Sequence, residues 1–113
     1  MAQPKRGEIW IADLNPVRGH EQAGKRPVLI VSTDRFNSGP AELVMVVPIT
    51  SKGKGIPWHV AVKPPEGGLR TLSFLMCEMT RSITTDRLTK RSGALADTTM
   101  DEVEDRLRIL LDL

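Results

Sequence analysis

The sequence has little of the residue types from which many enzyme sites are built. It contains one cysteine, two histidines and no tyrosine, and only 4% of its residues are aromatic. The single Cys77 cannot form an internal disulfide or a paired-cysteine zinc site, and we assign it to packing because it lies in an apolar stretch. His59, at a strand start, is given a structural role. Without an HExxH pattern or a loop cluster of carboxylates, the sequence predicts no metal site and no cofactor.

Other common signatures are missing as well. The chain has no GxSxG nucleophile elbow, no phosphate-binding P-loop and no dinucleotide-binding glycine motif. The few aromatic residues also weigh against an aromatic stacking platform for nucleic acid. No apolar run is long enough to span a bilayer, and the first residues lack the apolar stretch of a signal peptide. We therefore expect a cytoplasmic protein without membrane contact.

Charge is plentiful but unevenly distributed. The 113 residues predict one domain, 1–113, with a net charge of +2. From residue 97 to the end, six acidic residues against two arginines give −4, which leaves +6 for residues 1–96. A basic body suits a phosphate-bearing partner or an acidic protein partner, but a solvated basic surface would have the same composition.

Short apolar and β-branched runs predict strands in the first eighty residues. They cover residues 8–14, 28–31, 43–49, 59–62 and 72–77. The second run is apolar throughout, which is typical of a strand buried on both faces. Pro48 lies near the end of the third run and predicts an edge position or a bulge, because proline has no N–H to donate. Residues 34–40 and 84–88 predict turns with one helical turn each.

The pattern changes to helical spacing near the end of the chain. Thr99 and Glu102 have the form of a capping box, in which the two side chains bond each other's backbone N–H groups. The apolar stripe that follows comprises Met100, Val103, Leu107, Leu110 and Leu111. Several short strands followed by one helix predict an α+β fold, mainly β, with a bent antiparallel sheet or barrel and a helix packed against it.

Two polar, basic loops are the remaining candidates for chemistry. One covers residues 19–26 and leads into the buried strand, and the other covers residues 50–54 and leaves the third strand. Arg26 and Thr50 would meet if these strands are neighbours and the two loops lie at the same end. The strand register decides this, and the sequence does not specify it.

The residues of these loops carry a resemblance to a known family. Residues 6–10, 13–16 and 19–32, and later 46–51 and 81–88, closely resemble the MazF/PemK (Kid) toxins of bacterial type II toxin–antitoxin modules. The resemblance extends over almost the whole chain. It implies a small SH3-like (CcdB/PemK-like) antiparallel barrel with a C-terminal helix, a homodimer, and metal-independent cleavage of single-stranded RNA at short sequence motifs.

The resemblance also assigns catalytic roles. The catalytic arginine and threonine of the family correspond to Arg26 and Thr50. A guanidinium offers a fork of N–H donors to phosphate oxygens and is a poor proton carrier at neutral pH, so we favour transition-state stabilisation over general acid catalysis for Arg26. His20 is a candidate proton shuttle, with a solvent-facing loop histidine as the alternative.

Further residues are predicted to contact RNA. In the strand near residue 76, some members of the family carry an arginine and an acid; here Met76 replaces the arginine and Glu78 retains the acid, while Arg81 is a candidate substitute. The predicted RNA contacts are Glu21, Gln22, Lys25, Ser51, Lys52, Lys54, Glu78 and Arg81.

Partners and alternatives follow from the same resemblance. It implies a cognate MazE-like antitoxin with an acidic, disordered segment, and operator DNA bound only through the antitoxin complex. A CcdB-like gyrase inhibitor is one alternative, although that subfamily acts through a terminal Trp-Gly-Ile and this sequence ends Leu-Asp-Leu. A noncatalytic nucleic-acid-binding barrel is the other, and the presence of both Arg26 and Thr50 weighs against it.

Overall fold

A computed structural model describes residues 3–14 and 24–113. Within them the chain forms the strands β1 (Glu8–Asp13), β2 (Lys25–Ile30), β3 (Leu43–Thr50), β4 (His59–Val62), β5 (Ser73–Met76), β6 (Arg81–Thr84) and β7 (Leu88–Ala94). The helices are α1 (Asp34–Asn37) and α2 (Asp97–Leu111), with 3₁₀ turns at Glu66–Gly68, Cys77–Met79 and Thr85–Arg87. No helix in these two described ranges is long and apolar enough to cross a membrane.

The strands form one curved antiparallel sheet in the order β4-β5-β3-β2-β1-β7, and β6 pairs with the first half of β3. In the described part of the chain no pairing joins β6 to β7, so the sheet is open there, and the 3₁₀ turn Thr85–Arg87 connects the two strands instead. The predicted α+β fold, mainly β with a C-terminal helix, is confirmed, and the predicted SH3-like barrel is an open one, because β6 and β7 do not pair within the described residues.

Both faces of the sheet are buried. In β2, Val28 and Ile30 belong to one core and Leu29 to the other, and all three are fully buried, as the apolar run predicted. The core on the first face includes Trp10, Ala12, Leu14, Val44, Val46, Ile83 and Leu88. The core on the second face, which lies under α2, includes Ile9, Val47, Ile49, Val60, Val62, Leu75, Met100 and Val103.

The helix prediction is right in substance and wrong at its start. α2 begins at Asp97, so Thr99 lies inside its first turn and is buried, and the predicted capping box with Glu102 does not form. The N-cap residue is Ala96, whose N–H donates to the Glu66 carboxylate at 3.0 Å. The Glu66 carboxylate, from a turn distant in sequence, thus accepts the N-cap N–H, as a glutamate inside the helix does in a capping box.

The apolar stripe of α2 is also shorter than predicted. Met100 and Val103 are buried, and Leu107 and Leu110 pack against the same core, but Leu111 is exposed. Leu111 lies about 40° around the helix axis from Leu107 and so belongs to the same stripe, but it is the last residue of α2, where the helix ends.

The prediction for Pro48 is wrong, because β3 is a central strand. Pro48 pairs in register with Val28 of β2. On the other side of β3, pairing with β6 ends at Val46 and pairing with β5 begins at Ile49. Pro48 therefore lies where β3 changes partner, so its missing N–H interrupts neither ladder.

Candidate active site

Arg26 and Thr50 belong to the neighbouring strands β2 and β3. The register pairs Val28 with Pro48, Leu29 with Val47 and Ile30 with Val46. Arg26 and Thr50 each lie two residues beyond Val28–Pro48, the last pair of this ladder, at the end where β2 begins and β3 ends. The described end of the first predicted loop, residues 24–26, thus lies at the same end of the sheet as the second loop.

A groove of about 900 Å³ runs past this pair, and both residues line it. We call it the cationic groove because it is lined by Lys25, Arg26, Lys52, Arg70, Lys90 and Arg91. No Asp or Glu is among the described residues that line it. Its apolar surface comes from Ile11, Pro27, Ile49 and Leu69, and its hydroxyls from Thr50, Ser51, Thr71, Ser73, Thr89 and Ser92.

The Thr50 side chain is held in place by the chain that follows it. Its Oγ1 accepts a hydrogen bond from the Lys52 backbone N–H at 3.1 Å. This bond uses an oxygen lone pair and not the hydroxyl proton, so the hydroxyl keeps its capacity to donate. A phosphate oxygen beside Thr50 is a chemically suitable acceptor.

A second cavity adjoins the pair on one face of the strands. Side chains two residues apart share a face of a strand, so Arg26 shares the face of Val28 and Thr50 that of Pro48. Val28 and Pro48 line a cavity of about 270 Å³, which Arg81 also lines. Arg81 therefore lies beside this cavity and not in the cationic groove.

The remaining predicted site residues fall into separate groups. Lys25, Ser51 and Lys52 line the cationic groove with the catalytic candidates, whereas Lys54 is an exposed residue beyond them in the same loop. His20, Glu21 and Gln22 lie outside the described residues.

Glu78 occupies different surroundings from the groove cations. Its Oε2 lies 2.9 Å from Nε2 of His59, whose side chain is only 5% exposed. His59 Nδ1 is buried and has no hydrogen-bond partner within the described ranges. His59 thus orients the Glu78 carboxylate, in keeping with its predicted structural role, and Glu78 does not line the groove. Its contact with RNA stays a prediction.

The sequence did not point to one wall of the groove. Arg70 and Thr71 lie between the Glu66–Gly68 turn and β5, and Thr89, Lys90 and Arg91 lie in β7. Neither segment carries a motif. Their positions follow from β1, whose two edges pair with β2 and β7, and that arrangement is not visible in local sequence.

Two side chains in the described part of the chain have shifted pKa values. Burial raises the pKa of the Cys77 thiol to about 11, and the thiol is almost completely buried, as expected for a packing residue. Burial also acts to raise the pKa of Glu8, but hydrogen bonds from Trp10, Arg91 and the Lys5 N–H outweigh it and lower the pKa. In the described ranges no group of three or more His, Cys, Asp and Glu residues is arranged to hold a metal ion.

Comparison with known proteins shows the family of the chain. The sequence profile of the PemK-like, MazF-like toxins of type II toxin–antitoxin systems matches residues 5–111. The chain belongs to this family. It is 41% identical to the endoribonuclease PemK of Escherichia coli, over 95% of this chain and 81% of PemK. It is 36% identical to the endoribonuclease MazF9 of Mycobacterium tuberculosis, over 96% of this chain and 97% of MazF9.

Solved structures of the PemK/MazF family share the fold. The crystal structure of MazF from Deinococcus radiodurans superposes with a TM-score of 0.85 at 27% identity, covering 100% of both chains. An endoribonuclease from a mycobacterial species, solved in complex with its cognate antitoxin, superposes with a TM-score of 0.80 at 26% identity, covering 100% of this chain and 97% of that one. The family resemblance predicted from residues 6–32 is confirmed.

Proposed function

We propose that this PemK/MazF-family protein is the toxin of a type II toxin–antitoxin system and cleaves single-stranded RNA, mRNA above all, at specific short sequences without a metal ion. The observation that carries the proposal is that Arg26 and Thr50 line one groove, whose described residues include six cationic and no acidic side chains. Such a groove attracts a polyanion, and the pair supplies directed donors for one phosphate. The endoribonuclease names of its relatives support the same chemistry.

The RNA supplies its own nucleophile in this mechanism. The ribose 2′-oxygen attacks the adjacent phosphorus and loses its proton to a base, while the bond from phosphorus to the 5′-oxygen breaks. The leaving 5′-oxygen takes up a proton, so the products are a 2′,3′-cyclic phosphate and a 5′-hydroxyl end. The protein has to hold the attacking and leaving oxygens in line and stabilise the charge on the pentavalent transition state.

Arg26 and Thr50 have different roles in that step. The Arg26 guanidinium donates to the non-bridging phosphate oxygens, where negative charge builds up in the transition state. The Thr50 hydroxyl, whose oxygen accepts from the Lys52 N–H, donates its proton to the phosphate or orients the 2′-hydroxyl. Donors already fixed in position need no reorganisation when the charge develops.

His20 is the candidate proton shuttle, because an imidazole titrates at about pH 6.5. Its role is tested with His20→Gln: a shuttle predicts the loss of one limb of the pH–rate profile. An unchanged profile would assign the proton transfer to another group.

The proposal extends to partners. We propose a homodimer in the cytoplasm, inhibited by a cognate MazE-like antitoxin whose acidic segment competes for the cationic groove. Operator DNA would be bound only through the antitoxin complex. The antitoxin complex of the mycobacterial relative supports a partner of this kind, and the charge of the groove suits an acidic segment.

The deciding experiment is cleavage of long single-stranded RNAs in excess EDTA, with analysis of the product ends. We expect discrete fragments with 2′,3′-cyclic phosphate and 5′-hydroxyl ends, and mapping the ends gives the recognised sequence. Folded, antitoxin-free protein that cuts none of several unrelated RNAs would refute the nuclease and favour a noncatalytic binding protein. Cleavage that stops with EDTA would refute the metal-independent mechanism.

A further inference from the structure

The wall formed by Arg70 and β7 carries charge that the cleavage step does not use. Arg70 and Lys90 are exposed and line the cationic groove. Neither has a carboxylate within ion-pair distance in residues 3–14 and 24–113. Arg91 beside them differs, because its Nε lies 2.6 Å from a carboxylate oxygen of Glu8. Arg70 and Lys90 therefore carry the uncompensated charge of this wall.

Close backbone packing holds these two residues on the same wall. The Ser92 hydroxyl donates to the Gly67 carbonyl at 3.0 Å, which ties the Glu66–Gly68 turn to β7. Gly68 has φ +75°, and a Cβ there would lie 2.2 Å from the Ser92 carbonyl oxygen, so no side chain fits. The turn can approach β7 at backbone distance, and Arg70 follows two residues later.

The wall that carries Arg70 and Lys90 lies some distance along the groove from Arg26, where the cleaved phosphate would bind. Ile11 of β1 pairs with Pro27 on one side and with Lys90 on the other. Two strand spacings therefore separate Lys90 from the residue next to Arg26, which is about 10 Å. Nucleotides advance about 3.4 Å each along the axis of a stacked strand and more when the strand is extended, so this distance spans at most about three nucleotides.

We infer that Arg70 and Lys90 form a second phosphate-binding site, which holds the backbone of single-stranded RNA about two or three nucleotides from the cut. The inference rests on the proposed function and deepens it, because it makes RNA length a determinant of binding. The groove surface near Lys90 includes Ile11 and Leu69, and no aromatic residue is among the described residues lining the groove. Affinity at this site therefore comes mainly from charge and should depend steeply on salt.

The test measures the salt dependence of binding with Arg70→Gln/Lys90→Gln. The probe is a fully 2′-O-methylated single-stranded RNA, which has no nucleophile and cannot be cut. Each phosphate contact in a single strand contributes about 0.7 to the slope of log K against log salt, so the double variant should lower the slope by about 1.4. In cleavage of natural RNA, KM should rise severalfold while kcat changes less than about twofold, because the contact is made before and during reaction alike.

The matched control is Arg35→Gln/Lys63→Gln, which removes the same charge from exposed residues outside the groove. Equal slopes for the two double variants would overturn the inference, as would a loss of kcat with KM unchanged. If the Arg70→Gln/Lys90→Gln variant bound RNA with the wild-type salt slope but bound poly-glutamate more weakly, the inference would be overturned. The ligand of this wall would then be an acidic protein segment. If the wild-type protein cleaves RNA but the Arg70→Gln/Lys90→Gln variant has an unaltered salt slope, only the second site is refuted. If the variant has a lowered slope but the wild-type protein does not cleave RNA, the proposed function is refuted instead.

Discussion

The cations around α2 and those of the cationic groove contrast in their partners. Near the helix the arginines are paired with carboxylates: Arg6 with Glu104 at 2.9 Å, Arg106 with Asp105 at 3.0 Å and Arg108 with Glu104 at 3.6 Å. In the groove, Lys25, Lys52, Arg70 and Lys90 have no carboxylate within 4.0 Å in the described part of the chain.

The difference separates cations that serve the fold from cations that are open to a ligand. Exposed ion pairs contribute little to stability, typically about 0–1 kcal/mol, but they leave almost no positive potential for a polyanion. Unpaired cations that face one another across a groove repel each other, and a polyanion that enters the groove relieves this repulsion. On this view, substitutions in the groove should affect activity and substitutions near α2 should affect only stability.

The largest expected effect is that of Arg26→Ala. It removes the donor fork from the transition-state phosphate, and kcat/KM should fall about 10²–10³-fold, as for loss of an oxyanion donor. Arg26→Lys should recover only part of the rate, because an ammonium lacks the planar fork. Cleavage rates on one mapped RNA measure both. Arg35→Ala is the matched control, and an equal loss there would remove the distinction between groove and surface arginines.

Thr50→Val should have the next largest effect. Valine keeps the shape of threonine but has no hydroxyl, and we expect kcat to fall about 10²-fold with little change in unfolding temperature. Thr50→Ser retains the donor and should remain within about tenfold of wild type. If serine and valine behaved alike, the hydroxyl would have no part in the reaction.

Glu8 is a carboxylate that pairs with a groove cation, because it lies 2.6 Å from Nε of Arg91 on the groove wall. Its pKa lies below the ordinary value of 4.5, so the ionised carboxylate stabilises the fold at pH values above 4.5, and this contribution is lost as the pH falls through the lowered pKa. Glu8→Gln should therefore lower the free energy of unfolding by about 1.5 kcal/mol at neutral pH and by less in acid. Urea unfolding at several pH values measures this. The exposed Glu102→Gln is the control, and a difference between wild type and Glu8→Gln that grew in acid would contradict the assignment.

The smallest expected effect is that of Arg6→Ala. It breaks the exposed pair with Glu104 and the hydrogen bond that Arg6 Nε donates to the Val31 carbonyl at 3.0 Å, and it should cost about 1 kcal/mol of stability, visible as a small drop in the denaturation midpoint. The salt dependence of RNA binding should stay unchanged, since Arg6 does not line the groove. A lowered salt slope in this variant would show that the paired arginines also attract RNA.

Elements with a strong periodic pattern could be predicted from the sequence, and elements without one could not. The apolar runs gave β1 to β5 because each buries several side chains, and the stripe beginning at Met100 gave α2. β6 and β7 were missed because each buries only one side chain, Ile83 and Leu88. Their place in the sheet depends on pairing with β3 and β1, which are distant in sequence.

The residues of the candidate site also fall into those that the sequence predicts and those that only the fold reveals. Arg26, Thr50 and their loop neighbours were found through family resemblance, and only the folded chain shows that Arg26 and Thr50 line the same groove. Arg70 and Lys90 carry no motif, and they join the groove through the contact of Gly68 with Ser92 and the pairing of Lys90 with Ile11. Such long-range juxtapositions are properties of the folded chain.

In the proposed reaction, this groove cleaves RNA with the 2′-hydroxyl of the substrate as nucleophile. Its most direct test is an RNA containing the mapped cleavage site, with a single 2′-deoxyribose on the 5′ side of the scissile phosphate, treated with wild-type protein in EDTA. We predict that this RNA binds as tightly as the unmodified one and is not cut, while an RNA with the deoxyribose moved one nucleotide away is cut normally. Cleavage at the deoxyribose would contradict the mechanism, because the strand would then be broken without the nucleophile that the account requires.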